Sequence, residues 1–206
     1  MKISKIEPQK RNKNRSSIYV DDEYKFSLSN ELVMKYDLRA GYEITDEEIN
    51  ELFVAKEKDY IKERAFRILR YRDRSSLELK QRLVKIGFDE PMVNEVINGF
   101  ITDKTLDDSR LVQEFVSDYT KVNPKGNRFV VHELRKKGIP PEIIEEAVKA
   151  RDEKSIAEEF ISRKLADLDL KNPKGIQKAW QRLAARGFSP EVIRELLNKY
   201  RYSNDH

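Results

Sequence analysis

Asn123-Pro124-Lys125-Gly126 returns 49 residues later as Asn172-Pro173-Lys174-Gly175. Twelve residues after the glycine that closes each tetrapeptide comes another, Gly138 or Gly187. These stand in Leu134-Arg135-Lys136-Lys137-Gly138-Ile139-Pro140-Pro141 and Leu183-Ala184-Ala185-Arg186-Gly187-Phe188-Ser189-Pro190. A third copy lies upstream as Leu83-Val84-Lys85-Ile86-Gly87-Phe88-Asp89-Glu90-Pro91, starting twelve residues before its glycine at Ser75. Gly87, Gly138 and Gly187 are thus 51 and 49 residues apart, and a period of this length is the mark of a repeat architecture.

Each copy has the same physical reading. Asn-Pro-Lys-Gly suits a type I turn, with Asn first, Pro preset at the second place and Gly at the fourth. A helix of about eleven residues follows, and Gly ends it because it tolerates the left-handed conformation past the cap. One large apolar residue comes next (Phe88, Ile139 or Phe188), then a proline-containing step into another helix. In those helices Met92, Val93, Val96, Ile97, Phe100, then Ile143, Ile144, Ala147, Val148, then Val192, Ile193, Leu196, Leu197, Tyr200 recur at helical spacing. A further helix precedes each pair. The first opens at the capping box Thr45-Asp46-Glu47-Glu48 and runs to about Arg72. The second carries Leu111, Val112, Phe115, Val116 and Tyr119, and the third Ile156, Ala157, Phe160, Ile161 and Leu165.

The expected fold is therefore mostly α, with three tandem three-helix repeats over residues 45–103, 106–151 and 153–202. One repeat buries little alone, so neighbours are expected to stack into an elongated, curved body. Residues 1–44 differ. Ile18 and Val20, then Tyr24, Phe26 and Leu28, flank Asp21-Asp22-Glu23 as a β-hairpin region, which Ile3 and Ile6 extend by a strand. A polar, basic loop runs from Gln9 to Arg15, and Ser29 or Asn30 caps a short helix ending near Asp37.

Composition narrows the function. Of 206 residues, 38% are hydrophobic and 38% charged, which suits thin amphipathic helices; the apolar periodicity argues against a disordered chain of the same composition. There is no cysteine, so disulfides and thiolate metal sites are excluded. No apolar run has membrane-spanning length and no signal-peptide core opens the chain, so a cytoplasmic, monomeric protein without a membrane partner is expected. Only His132 and His206 are present; His132 sits on a basic helix with a surface or packing role, and terminal His206 is expected to fray. Asp107-Asp108 reads as a helix cap rather than a metal site. Gly126 and Gly175 fall in no phosphate-binding pattern. Trp180 aligns with Val131 and reads as core, with base stacking as its alternative. No catalytic residue, metal or cofactor is expected, and the chain is read as a non-enzyme.

The net charge is +4, but it is segregated. Residues 56–86 hold eleven bases against five acids and 171–186 hold five against none, whereas 138–160 hold three against seven. That pattern favours a polyanionic or acidic partner over an evenly solvated surface. A helix, a glycine turn and a second helix invite a helix-turn-helix reading, but the second helix would then enter the major groove and here it carries the acids. These are Asp89, Glu90 and Glu95, then Glu142, Glu145 and Glu146, then Glu191 and Glu195. The bases lie before the glycines: Lys80, Arg82 and Lys85; Arg128, Arg135, Lys136 and Lys137; Lys174, Lys178, Arg182 and Arg186. Arg70, Arg72, Arg74 and Lys125 lie just ahead of these middle helices. A stripe of middle helices tracking phosphates without sequence preference follows, or the same stripe against acidic protein.

Two stretches carry a family resemblance. Leu106-Asp107-Asp108-Ser109-Arg110 through Phe115, Lys125-Gly126 and Glu133-Leu134-Arg135-Lys136-Lys137-Gly138-Ile139 resembles the central signature of the RecX family. Leu69-Arg70-Tyr71-Arg72-Asp73-Arg74-Ser75 with Glu78-Leu79 and Leu83 resembles its first-repeat motif, and the N-terminal region resembles the longer Gram-positive members. The third repeat departs from the pattern, having Arg182-Leu183 where the family has Glu-Leu. The resemblance implies a regulator that lies in the groove of the RecA–DNA filament and modulates, mostly downward, strand exchange, ATP hydrolysis and coprotease activity. It places the chain in homologous recombination, DNA repair and the SOS response. The alternative is a sequence-independent architectural protein binding single- and double-stranded DNA without RecA.

Overall fold

A computed structural model describes residues 1–202, with side-chain surroundings through Tyr200; the expectation for His206 lies outside the described residues. The chain divides into two compact units, Met1–Arg72 with Arg82–Gly99, and Asp73–Gln81 with the chain from Phe100 onward.

In the first unit, β1 (Ile3–Pro8), β2 (Arg15–Val20) and β3 (Glu23–Ser29) form an antiparallel sheet in the order β1-β2-β3. The expected extra strand from Ile3 and Ile6 is present. Alternation puts Ile3, Ile18, Val20, Phe26 and Leu28 on one buried face. A register shift between Ile18 and Tyr19 turns Tyr24 out of that series. It pairs across the strands with Tyr19, ring centroids 5.9 Å apart, and is exposed where the hairpin reading grouped it with Phe26 and Leu28. Helix α1 (Asn30–Lys35) is capped by Ser29, whose side chain accepts from Leu32 N. Helix α2 (Asp46–Leu69) opens on the expected reciprocal capping box of Thr45 and Glu48 and ends at Arg70, slightly short of Arg72. Its Ile49 and Leu52 share a core with the sheet. Arg15 reaches from β2 to Glu63 of α2 at 3.5 Å.

Helices α3 (Ser76–Ile86) and α4 (Glu90–Thr102) follow. Leu79 and Leu83 of α3 and Val93, Val96, Ile97 and Phe100 of α4 are buried, as their spacing requires. In the second unit come α5 (Asp108–Ser117), a π-helical turn (Asp118–Val122), α6 (Asn127–Lys136) and α7 (Pro141–Lys149). Val112, Val130, Leu134, Ile139 and Ile144 form their core. Then come α8 (Glu153–Lys164), α9 (Pro173–Ala185) and α10 (Pro190–Tyr202), around Phe160, Ile161, Leu165, Leu183, Phe188, Ile193 and Leu196, with Trp180 packed against them.

All three middle helices end identically. Gly87, Gly138 and Gly187 have φ of 110°, 71° and 79°. Their N–H groups donate to Val84, Arg135 and Ala184, while Phe88, Ile139 and Phe188 donate to Leu83, Leu134 and Leu183. Those two bonds define the Schellman ending, in which the leucine and the apolar residue after glycine pack together.

The type I turn carries over to neither copy of Asn-Pro-Lys-Gly. Before α6 the four residues are irregular chain, Gly126 is the N-cap, and the helix starts at Asn127. In the third repeat the last three of these residues are already helix: Asn172 is the N-cap, accepting from Lys174 N at 2.9 Å, and Pro173 is the first helical residue. The difference follows from what lies against them. Gly126 N donates to Arg186 O at 3.0 Å, a bond that holds it out of the helix. At Gly175 the neighbour is Asp169 O, so close that a Cβ would lie 1.9 Å from it.

Candidate nucleic-acid interface

The middle helices meet end to end within the second unit. At one junction the start of α3 abuts the end of α6. The Ser75 hydroxyl donates to Lys137 O and accepts from Glu78 N at 3.1 Å, while Glu78 accepts from Ser75 N at 3.1 Å. Ser76 N donates to Asp108 Oδ1 at 2.9 Å, and Lys137 Nζ lies 3.5 Å from Glu78 Oε1. At the other junction the start of α6 abuts the end of α9. Gly126 N and Arg128 N donate to Arg186 O and Gly187 O at 3.0 and 3.1 Å. A Cβ on Gly126 would fall 2.1 Å from Phe188 Cα, so only glycine allows this approach. The unpaired N–H groups at the start of α6 thereby meet the unpaired carbonyls at the end of α9, which places the positive end of one helix dipole against the negative end of the other.

Basic residues decorate this file. Arg128, Arg135 and Lys136 are exposed on α6, away from buried Val130 and Leu134. Lys174, Lys178 and Arg182 are exposed on α9, away from buried Ala179 and Leu183, and α9 contains no acid. Lys136 pairs with Glu133 at 3.0 Å and Arg182 with Asp167 at 3.8 Å. Both pairs are exposed, so they hold the cations weakly.

Five candidate bases of this unit are wholly or partly covered instead. Lys137 is four-fifths covered and pairs with Glu78. Arg186 donates to Asn123 Oδ1 and Pro124 O at 3.1 and 3.0 Å and lies 4.5 Å over the Phe160 ring. Lys125 lies 4.6 Å over Phe129, and burial, then Arg186, push its ammonium pKa down. Arg74 is half-buried, as is Lys80 on the start of α3. In the first unit Arg70, Arg72, Arg82 and Lys85 are all exposed.

The acids of the last helix in each repeat stay largely at the surface, and two of them bind lysines of the first helix. Lys58 pairs with Glu95, and Lys154 pairs with Glu195.

Arg151 and Glu153 were not singled out by the sequence. They stand in the charged step Arg151-Asp152-Glu153 between the second and third repeats. Yet Arg151 donates to Thr120 Oγ1 (3.2 Å), Asn127 Oδ1 (2.6 Å), Tyr119 O (3.0 Å) and Lys125 O (2.8 Å). Glu153 is buried and accepts from Asn127 N at 2.6 Å and from the backbone and hydroxyl of Ser189 at 3.1 and 2.8 Å. Together they tie the π-turn, the start of α6 and the start of α10 to the head of α8. No spacing rule signals such a hub, because its partners come from three separate stretches.

Three family profiles match in tandem: the regulatory protein RecX N-terminal domain over residues 1–45, the first RecX three-helix domain over 62–98, and the second over 107–148. The regulatory protein RecX of Clostridioides difficile is 35% identical over 150 residues, covering 73% of this chain and 70% of that protein. This chain belongs to the RecX family. The RecX of Bacillus subtilis is 36% identical over 146 residues, 71% of this chain and 55% of its own length. The chain thus spans about half the length of the first curated RecX relatives it matches. A crystal structure of regulatory protein RecX superposes with a TM-score of 0.78 at 25% identity, covering 96% of this chain and 98% of that one. A RecX structure from Lactobacillus salivarius shares the fold at a TM-score of 0.58 and 24% identity. The expected RecX architecture of helical repeats behind a small β region is the one observed, and among the described residues no helix is long and apolar enough to cross a membrane.

Proposed function

We propose that this RecX-family chain regulates the RecA recombinase by lying along the groove of the RecA–DNA filament. The observation that carries the reading is the end-to-end junction of α9 and α6, two helices whose exposed bases are Lys174, Lys178 and Arg182 on the one and Arg128, Arg135 and Lys136 on the other. Cations at intervals along a rigid track suit a periodic polyanion, and several weak contacts add up when spacings match. Occupying the groove obstructs an incoming duplex and damps strand exchange, ATP hydrolysis and coprotease activity without any catalytic group. The acidic last helices argue against sequence reading in the major groove.

The test measures RecA strand exchange and ATP hydrolysis with increasing protein, alongside affinity for bare single- and double-stranded DNA at physiological salt. The expected result is inhibition at concentrations where bare DNA is little bound. Tight DNA binding with no effect on RecA would replace this reading by the architectural one.

A further inference from the structure

Tyr71 is 88% exposed and Val122 79%, more than any other large apolar side chain among the described residues. They lie 51 residues apart, the spacing of Gly87 and Gly138, and each stands four residues ahead of the start of a basic middle helix, at Ser75 and Gly126. Single exposed apolar residues are ordinary on protein surfaces. Recurrence of the two most exposed ones at a single repeat position is not expected of scatter. Both are held by local backbone bonds. Tyr71 follows the end of α2, where its N–H donates to Ile68 O at 3.4 Å. Val122 ends the π-turn, closed by Asn123 N to Asp118 O at 2.9 Å, and π-turns recur at functional positions. The neighbours are cationic: Arg67, Arg70 and Arg72 are exposed around Tyr71, as is Lys121 beside Val122.

We propose that Tyr71 and Val122 are base-contacting tips for single-stranded DNA, with Tyr71 stacking on an unpaired base and Val122 packing against another. The flanking arginines and lysines hold the adjoining phosphates. This inference rests on the DNA-associated reading above and adds the strand state of the DNA. An unpaired base offers an open π-face to an aromatic ring, whereas a duplex keeps its bases stacked inside. Lys171 occupies the matching place in the third repeat, so the base contact belongs to the first two.

The test uses the full chain with Tyr71→Ala, Tyr71→Phe and Val122→Ser, a labelled oligo-dT, a duplex of equal length and RecA filaments. Because both side chains are exposed, melting temperatures should not move. Tyr71→Ala should weaken oligo-dT binding about tenfold, Val122→Ser about two- to threefold, and Tyr71→Phe within about twofold, as loss of one stacked base implies. Duplex affinity should stay constant throughout. Equal losses on duplex and single strand would overturn the proposal, as would weaker filament binding at constant DNA affinity, which would put the tips against protein. Unchanged binding in every variant sinks the base contact alone. Failure of the unaltered chain to bind either DNA or RecA–DNA filaments sinks the underlying reading instead.

Discussion

Arg151 serves four acceptors with one guanidinium, two of them backbone carbonyls bracketing the turn before α6. Truncation leaves those acceptors short of a donor in a half-buried setting. We expect Arg151→Ala to lower unfolding free energy by about 2–4 kcal/mol, read from urea denaturation. Arg151→Lys should recover little, since an ammonium cannot reproduce the planar fork. Two glycines make an opposed pair. Gly126 has an ordinary φ of −74° but no room for a methyl group, whereas Gly87 has φ 110° and open space around it. Gly126→Ala should cost about 1–3 kcal/mol through overpacking. Gly87→Ala should cost about 1–2 kcal/mol through backbone strain alone. Only the first should disturb the α6–α9 junction, which amide exchange at Gly126 and Arg128 would report. Equal acceleration of exchange in both variants would contradict that assignment.

Among the elements, the helix starts share one electrostatic device. Glu48, Asp107 and Asp152 are all held below the usual carboxylate range. For Glu48 the main cause is the Thr45 backbone N–H, for Asp107 that of Arg110, and for Asp152 the Ser155 hydroxyl. A depressed folded-state pKa contributes stability that is complete above the unfolded value and disappears as pH falls through the folded one. Melting temperature should therefore be level from neutrality to just above the ordinary carboxylate pKa of about 4, and decline below it. A variant with Glu48→Gln, Asp107→Asn and Asp152→Asn should start lower and decline less steeply. An unchanged slope in circular-dichroism melts at acid pH would remove these caps as its source. Two of these starts were legible because the cap pattern is local, Thr45 with Glu48 and Asp107 ahead of an apolar period; the cap at Asp152 is seen only in the structure. The different starts of α6 and α9 were not, because Gly126 N is held by Arg186 O, 60 residues away, whereas Gly175 lies against Asp169 O of the preceding turn.

At the scale of the whole molecule, the proposed contact rests on the exposed bases, while several others serve the fold. Arg128→Glu, Arg135→Glu and Lys136→Glu combined should weaken binding to RecA–DNA filaments at least tenfold and flatten its salt dependence, with helicity unchanged. Lys137→Glu belongs to a different class, because it would set a carboxylate against Glu78 at the α3–α6 junction. It should lower stability as well, so binding must be compared at equal folded fraction. Should the exposed triple variant inhibit RecA as well as the unaltered chain, the file of bases is not the contact surface. Of fifteen candidate bases, the sequence identified the helices that carry them but could not separate the solvent-facing ones from Lys125, Lys137 and Arg186. Charge and period are written along the chain, whereas pairing with Glu78 is made between repeats and stacking on Phe160 between two helices of one repeat.

By itself the sequence determined the repeat, the three Schellman endings, the capped starts and the β region, because turn chemistry and apolar period act over a few residues. Tertiary structure alone decided that middle helices join end to end, that Arg151 and Glu153 are interior, and that Tyr71 and Val122 stand clear of it. Those outcomes depend on which carbonyl or ring comes within about 3–4 Å, and residues some 50 apart in the chain carry no local signal of that approach.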